Sequence, residues 1–190
     1  MPAPVQKGSV LVTAVGLPDQ QQRYVFTRPP IGVAEIAAQI NQPFVHLKAP
    51  MAAAAVRAML PEHWHLEQTG TMMRLPDLPR QMAVVPTGYQ LDLSKQDGIT
   101  IAQILDERGA VVAQGRMTIV DELALHDRIT VDADHRRRGL GRAIMTALGI
   151  AAGDEGALRG ILAATTMGVA LYQTLGWEAR SPWTTAQIPS

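Results

Sequence analysis

The stretch HRRRGLGRAIM, residues 135–145, decides what fold this sequence adopts. Three consecutive arginines precede a Gly-Leu-Gly turn, which runs directly into an apolar, helix-forming segment. The first turn of a helix has backbone N–H groups without intrahelical partners, and the aligned peptide dipoles add partial positive charge there. Because glycine has no Cβ, Gly139 and Gly141 let an anion approach these N–H groups closely. The stretch therefore predicts a phosphate-binding loop at a helix N-terminus.

The arginines of this stretch have a second interpretation. Arg136, Arg137, Arg138 and Arg142 add side-chain charge around the loop, yet charge alone favours a solvated basic helix start, because runs of arginine are common on protein surfaces. The glycine spacing shifts the balance towards an anion site. The stretch lacks the third small residue of a dinucleotide fingerprint, and no Gly-Lys-Ser or Gly-Lys-Thr of a nucleotide P-loop is present. Neither of those two families fits.

The residues on either side of the loop predict alternating strands and helices. Two strands should form a hairpin around a turn that ends at Gly109, and the alternation of the third strand breaks at Asp127, which indicates a β-bulge. Because a helix separates the fourth strand from the third, these two strands should be parallel. The predicted elements are strands 99–105, 111–120 and 124–131, helix 140–152, strand 158–163, and a helix that begins after Thr165 or Thr166 and ends at Gly176.

The N-terminal part also alternates between the two kinds of element. We expect a division into an N-terminal αβ segment, residues 1–80, and a larger domain, residues 81–190. Prolines mark a connection before a further strand at 89–93. The expected N-terminal elements are helices 32–40 and 51–60 and strands 10–15, 44–47, 63–68 and 71–75. The fold class is α+β.

Two motifs resemble the GCN5-related N-acetyltransferase (GNAT) superfamily. The pattern Arg136-x-x-Gly139-x-Gly141 is similar to that family's Arg/Gln-x-x-Gly-x-Gly/Ala signature, with a matching strand before it. Farther on, the segment ALYQTLGW at 170–177 is similar to the family's late Leu-Tyr-x-x-Leu-Gly-Phe helix. The resemblance covers about residues 88–180. It implies a mixed, mostly antiparallel central sheet that is splayed at the coenzyme site and flanked by helices, here with an N-terminal αβ half-domain.

One feature departs from the family pattern. Family members usually place two helices between their first and second strands, whereas strand 89–93 is only a few residues from Ile99. Either the N-terminal segment supplies those helices, or it is a reduced second copy of the late half of the fold without the arginine-glycine loop. We favour the second interpretation.

The resemblance implies acetyl-CoA as co-substrate and a primary amine as acceptor. In the family, the amides of the signature loop hold the coenzyme pyrophosphate, and the strand before it binds the pantetheine arm through its backbone. Thr165 stands where many relatives carry an asparagine that contacts this arm. The expected coenzyme-binding residues are Ile129, Thr130, Val131, Arg136, Arg137, Arg138, Gly139, Leu140, Gly141, Arg142 and Thr165.

Acetylation of an amine sets two proton-transfer problems. An amine with a pKa near 10.4 is about one part in a thousand neutral at physiological pH, equivalent to roughly 4 kcal/mol of barrier unless a base removes its proton. Glu122 and His126 are the candidate bases, with Asp121 behind them, although a carboxylate at a strand end is often a solvated cap and His126 could simply pack. The resemblance makes Tyr172 the acid for the leaving thiolate; a half-buried packing tyrosine is the alternative.

Composition limits the other functions. Lys plus Arg and Asp plus Glu are 17 each, and cysteine is absent, which excludes disulfides, thiolate nucleophiles and cysteine-based zinc sites. His63 and His65 could bind a metal on one strand face, but no third ligand lies nearby in sequence, so we expect no metal. The apolar run at 10–15 is too short for a membrane span or a signal peptide, which makes the cytoplasm the default.

We expect a small-molecule amine as the partner, and neither nucleic acid nor a membrane; the choice between monomer and homodimer stays open. The alternative function is a non-catalytic acyl-CoA-binding sensor protein that keeps the fold and transfers nothing.

Overall fold

The computed structural model of the chain describes residues 3–28 and 31–190. The chain forms two compact units: unit 1 is Met1–Met72 with Arg180–Ser190, and unit 2 is Met73–Ala179. The predicted division was 1–80 and 81–190. The described elements are β1 Val5–Lys7, β2 Val10–Leu17, β3 Gln20–Phe26, α1 Val33–Ala38, β4 Val45–Ala49, α2 Ala53–Met59, β5 His65–Leu75, β6 Tyr89–Gln96, β7 Ile99–Asp106, β8 Val111–Val120, β9 Leu123–Val131, α3 Leu140–Asp154, β10 Arg159–Thr165, α4 Thr166–Gln173 and β11 Glu178–Ile188.

Unit 1 has a sheet in the order β1-β2-β3-β4-β11. β3 and β4 are parallel, because α1 carries the chain back between them, and the other neighbours are antiparallel. Trp64 is fully buried in its apolar core, and its indole N–H donates to the Ala37 carbonyl at 3.1 Å. The two strands predicted at 63–68 and 71–75 are one strand, β5, and the prediction missed β1, β3 and β11.

Unit 2 has a sheet in the order β10-β9-β8-β7-β6, in which only β9 and β10 are parallel. α3 covers β7, β8 and β9, and its apolar stripe, with Ile144 and Leu148 fully buried, forms the core with the sheet. All six elements predicted between residues 99 and 176 are confirmed, and Thr165 is the cap of α4. The chain therefore has the mixed, mostly antiparallel sheet that the family resemblance predicts.

β9 contains a bulge that separates its two ends. Gln114 pairs with Thr130 and Arg116 with Asp127, so one residue of β8, Gly115, lies opposite two residues of β9. A Cβ on Gly115 would lie 2.6 Å from the Ile129 Cδ1, and glycine therefore leaves room for the bulge. The bulge predicted at Asp127 is confirmed. β10 pairs only with Leu123–Leu125 of β9, and beyond Leu125 the two strands part.

His126 is buried where β9 and β10 part. Its ring is 5% exposed, packs edge-on against Trp177 at 5.2 Å, and hydrogen-bonds the Ala124 carbonyl through Nδ1 at 3.2 Å. Burial lowers the pKa of His126 from 6.5 to about 4, so its imidazole is neutral in the folded protein at neutral pH.

We predict that His126 makes the protein less stable at mildly acidic pH. Between pH 6.5 and about 4 the unfolded chain binds a proton at His126 that the folded protein does not bind. The stability that depends on the neutral imidazole is therefore fully present above pH 6.5 and falls by up to about 3 kcal/mol as the pH drops towards 4. Urea unfolding of the wild type and of His126→Gln across this range should show the smaller pH dependence in the variant. His65→Gln, which removes an exposed imidazole, should behave like the wild type. Equal slopes for all three proteins would contradict the burial argument.

A pair of glycines on α3 tests how the segment before β6 packs. A Cβ on Gly149 would lie 2.6 Å from the Pro79 ring, whereas one on Gly153 would have 3.9 Å to Leu78. Gly149→Ala should lower the free energy of unfolding by about 1–2 kcal/mol through overpacking. Gly153→Ala should raise it by about 0.5–1 kcal/mol, because alanine favours a helix. Urea unfolding of both variants measures this, and a similar gain for both would show that Pro79 does not pack on α3.

Candidate functional site

The loop between β9 and α3 has an unusual backbone. A short 3₁₀ turn, Ala133–His135, follows β9, and its hydrogen bonds end with the Arg136 N–H donating to the Ala133 carbonyl at 3.3 Å. Arg137 then has φ 62°, a left-handed conformation that is uncommon without glycine. Gly139, with φ 83°, is the N-cap of α3. Left-handed residues in turns are typical of nests, in which successive backbone N–H groups form an anion-binding concavity.

The amides of residues 137–142 have no hydrogen-bond acceptor within the described chain. The first bond of α3 is donated by Ala143, to the Gly139 carbonyl at 3.0 Å. Unpaired helix-start amides are suited to bind an anion, and here the loop adds further amides to those of the helix itself. The arrangement fits a diphosphate.

The two glycines of the signature have different roles. Gly139 is required by its positive φ, and a Cβ there would be 3.9 Å from its nearest neighbour, Pro86. A Cβ on Gly141 would lie 3.0 Å from the Leu171 Cδ2, so this glycine makes room for α4. The expectation that both glycines admit the anion stays a prediction, and for Gly141 the structure adds a packing reason for the missing Cβ.

The signature arginines mostly bind the protein itself. Arg136 Nε donates to the Val131 carbonyl at 3.2 Å, and an Arg142 terminal nitrogen donates to Thr174 Oγ1 at 3.0 Å. Arg138 donates through both terminal nitrogens, to acceptors named below. Among the described residues, the Arg137 side chain has no hydrogen bond or ion pair. Three of the four arginines that were expected to add charge around the loop are therefore hydrogen-bonded to neutral acceptors of the protein.

The strand before the loop offers few free groups. Thr130 pairs with Gln114 of β8, and the Asp132 N–H donates to Val112 at 2.9 Å, so both are turned towards β8. Val131, between them, faces the opposite side, where β10 has departed. Ile129 lies in the bulge and packs partly buried against the core. Of the three predicted residues, only Val131 turns its backbone to this side, and its carbonyl accepts from Arg136 Nε.

Two other predicted coenzyme residues have structural tasks. The Leu140 side chain is 1% exposed and lies in the core, which leaves only its amide to face a ligand. Thr165 Oγ1 accepts from the Gly168 N–H at 3.2 Å and so caps α4, although its hydroxyl proton remains available.

Tyr172 and His126 both lie against the indole ring of Trp177. Trp177 is 4% exposed, and its ring centroid is 6.1 Å from that of Tyr172 and 5.2 Å from that of His126. The Tyr172 hydroxyl has no hydrogen-bond partner among the described residues, and burial raises its pKa above the usual 10. His126 Nε2 is buried without a partner as well. The structure therefore brings two of the three predicted catalytic residues to the end of the paired part of β9.

Glu122 is not part of this group. It lies in the exposed turn between β8 and β9, beside Asp121 with φ 53°, and its carbonyl accepts from the Leu158 and Arg159 N–H groups at 2.9 and 3.4 Å. Its carboxylate has no contact with Tyr172 or His126 that the described structure records.

Sequence reasoning missed Tyr89 of β6. Its hydroxyl bonds to both His135 and Arg138, each at 2.9 Å, although it is 46 and 49 residues away from them in sequence. No local sequence pattern indicates a contact over such a separation.

The remaining candidates lie elsewhere. His63 Nε2 bonds to the Ile40 carbonyl at 2.9 Å, and the described residues contain no group of three or more potential metal ligands. A cavity of about 730 Å³ in unit 1, lined by α1 and β2 to β4, contains none of the predicted site residues. Within the described ranges, no helix has the length and apolar character needed to cross a membrane.

Comparison with known proteins agrees with this architecture. The family model described as an acetyltransferase (GNAT) domain matches residues 98–179. None of the curated proteins compared with the sequence matches it. A GCN5-related N-acetyltransferase from Kribbella flavida superposes with a TM-score of 0.70 at 16% identity, over 98% of this chain and 89% of that one.

Two further solved structures are similar. A GCN5-related N-acetyltransferase from Sphaerobacter thermophilus gives a TM-score of 0.67 at 11% identity, over 96% of this chain and 78% of that one. A tandem GNAT protein from the clavulanic acid biosynthesis pathway gives 0.54 at 16% identity, over 86% of this chain and 74% of that one. Residues 98–179 therefore match the acetyltransferase (GNAT) domain family, and the chain has the GNAT fold.

Proposed function

We propose that this protein transfers an acetyl group from acetyl-CoA to a primary amine of a small molecule or amino-acid-like acceptor, by direct attack with a general base and a tyrosine general acid. The observation that carries the proposal is the run of six unpaired amides at residues 137–142, since a diphosphate would satisfy them. The opening of β9 away from β10 beyond Leu125 supports the proposal, because an extended amide-containing arm could bond to the backbone there.

The coenzyme would supply an activated thioester, and the chain's own residues would handle the protons. Tyr172 suits the acid role: burial raises its pKa, so its hydroxyl stays protonated at neutral pH and can donate to a leaving thiolate. Its ring is held between Trp177 and Gly168, where a Cβ would lie 2.9 Å from the Tyr172 Cε2. The packing of the ring fixes the direction of the hydroxyl.

The base is less defined than the acid. With a pKa lowered to about 4, His126 is a weak proton acceptor at neutral pH, but its unpartnered Nε2 can accept a hydrogen bond from an amine. Glu122 is exposed and could act through water. We keep both as candidates: His126 to orient the amine, and Glu122 to take the proton.

A non-catalytic acyl-CoA-binding sensor is the second candidate function. It is favoured by one observation: no described hydrogen bond or ion pair links a carboxylate to either Tyr172 or His126. Such a protein would use the same amides and transfer nothing.

We also propose that unit 1 is a degenerate copy of the GNAT half-fold. In unit 1, antiparallel β2 and β3 lead through α1 to parallel β4 and then α2; in unit 2, β8 and β9 lead through α3 to parallel β10 and then α4. Both first helices have a left-handed glycine as N-cap, Gly32 with φ 80° and Gly139 with φ 83°. In sequence, Pro29 stands where Arg136 stands, so unit 1 would lack the anion loop.

Binding and turnover of the wild type test the function. We expect CoA to bind, and thiol release from acetyl-CoA to require an amine from a panel of small amines and amino acids. Binding without release for any amine would favour the sensor, and no binding at millimolar CoA would reject both functions.

Matched glycine variants test whether the loop amides bind the coenzyme. Gly139→Ala and Gly109→Ala both force alanine into a positive φ, 83° and 77°, with no atom closer than 3.9 Å. Both should lose about 1–2 kcal/mol of stability. Only Gly139→Ala should weaken CoA binding, by roughly tenfold or more, as measured by isothermal titration calorimetry. Equal CoA affinity in the two variants would show that the loop amides do not bind the coenzyme.

Tyr172→Phe should lower turnover by roughly 100-fold or more and leave the Kd for CoA within about twofold, because it removes a proton donor and keeps the ring. Steady-state thiol release and calorimetry measure the two quantities. Tyr24→Phe, which removes a hydroxyl bonded to Gln22 in unit 1, is the control and should be unchanged. Wild-type turnover in Tyr172→Phe would remove this residue from the mechanism.

A further inference from the structure

The hydroxyl of Tyr89 connects two parts of the signature segment. Arg138 Nη1 donates to it at 2.9 Å, and because a guanidinium can only donate, the tyrosine oxygen is the acceptor. Tyr89 Oη and His135 Nδ1 also form a hydrogen bond at 2.9 Å, in which the Tyr89 O–H donates when Nδ1 carries no proton. The two rings meet edge to face at 5.8 Å and 80°.

Arg138 extends this network into the loop backbone. Its Nη2 donates to the Asp134 carbonyl at 3.0 Å, so one guanidinium joins Tyr89 to the 3₁₀ turn that opens the loop. Tyr89 itself is held firmly, since every residue of β6 pairs with β7, beginning with Tyr89 against Asp106. The loop is thus attached to the sheet through a side chain of a distant strand.

Two of the other three arginines hydrogen-bond neighbouring elements, and the third has no partner among the described residues. Arg136 holds the end of β9 through the Val131 carbonyl, and Arg142 holds α4 through Thr174. Arg137 stands at the left-handed position in the middle, exposed, with no partner among the described residues. Its neighbours on both sides are fixed, and its own charge is free for a ligand.

We propose that Tyr89 is a positioning residue for the anion-binding loop, acting with Arg138, and that Arg137 is the arginine of this segment whose side chain meets a phosphate group of the coenzyme. The assignment of Arg137 rests on the proposed function; the bracing by Tyr89 and Arg138 does not. A loop whose own amides make no internal hydrogen bonds has little else to hold it in one conformation, and affinity for an anion depends on those amides converging beforehand.

Hydrogen exchange tests the bracing without any ligand. The amides of His135, Arg136 and Ala143 are hydrogen-bonded at the two ends of the loop and should be protected. Tyr89→Phe and Arg138→Lys should each raise their exchange rates by about five- to tenfold, with no change at the paired amides of β7 and β8. Arg137→Gln should leave all these rates at their wild-type values. Unchanged rates in both Tyr89→Phe and Arg138→Lys would overturn the bracing.

CoA titrations of the same variants test the division of tasks. Tyr89→Phe and Arg138→Lys should each weaken binding by about five- to tenfold, and the double variant should be no weaker than the weaker single variant, because both changes break one unit. Multiplicative losses in the double variant would overturn the joint role. Arg137→Gln should weaken binding by a similar factor and reduce its dependence on salt between 50 and 500 mM, conditions chosen to screen exposed charges.

Each failure has a distinct signature. An Arg137→Gln variant with wild-type affinity and salt dependence would overturn its assignment. Should the wild type bind no CoA, the proposed function and the Arg137 assignment fail together, while the exchange rates still decide the role of Tyr89. Tyr24→Phe serves as the tyrosine control and should match the wild type in exchange and titration.

Discussion

Six consecutive backbone amides at the start of α3 have no acceptor in the described chain. Neighbouring side chains of unit 2 hold the loop in place while these amides stay unpaired. Such groups usually turn to side-chain caps or to water. Here the N-cap is Gly139, which has no side chain to offer, and Arg137, two residues before it, adopts a left-handed conformation. The surrounding side chains compensate by holding the backbone from outside: an arginine at each end and a tyrosine from β6 in between. Three of the four arginine side chains thus hold the shape of the loop, and the main-chain N–H groups and the Arg137 side chain have no partner in the described chain.

The second constraint is the departure of β10 from β9. A bulge opposite a glycine turns the later half of β9, and the partnered and unpartnered halves meet at His126. Trp177 fills the space at this point and contacts both the imidazole and the Tyr172 ring. Gly160 of β10 admits the indole, since a Cβ there would lie 2.8 Å from the Trp177 ring. The buried indole of Trp177 therefore contacts the Tyr172 ring and the His126 imidazole at the point where β9 and β10 part.

Local patterns predicted most of unit 2 and less of unit 1. The apolar spacing of α3, the caps at Gly139 and Thr165, and the broken alternation at Asp127 are short-range signals that tertiary contacts did not override. β3 begins with three glutamines and β11 contains Pro182, so both lack a strand signature and are held by their neighbours. At the site, the glycine spacing predicted the loop at the start of α3. The contacts made by Tyr89, Gly141 and Arg142 could not be predicted in this way, because their partners are distant in sequence.

The position of β11 in the sequence affects the order in which the two units fold. β11 completes the sheet of unit 1 beside β4, and Thr184 donates to the Met51 carbonyl across a separation of 133 residues. During synthesis of the chain, one edge of β4 would stay unpaired until the residues of β11 had emerged from the ribosome. The N-terminal unit must then finish folding after the acetyltransferase segment has emerged, so the first unit to be translated is the last to acquire its full sheet. Such late, long-range pairing is slow, and until it is complete the unpaired edge of β4 in unit 1 is exposed to other chains.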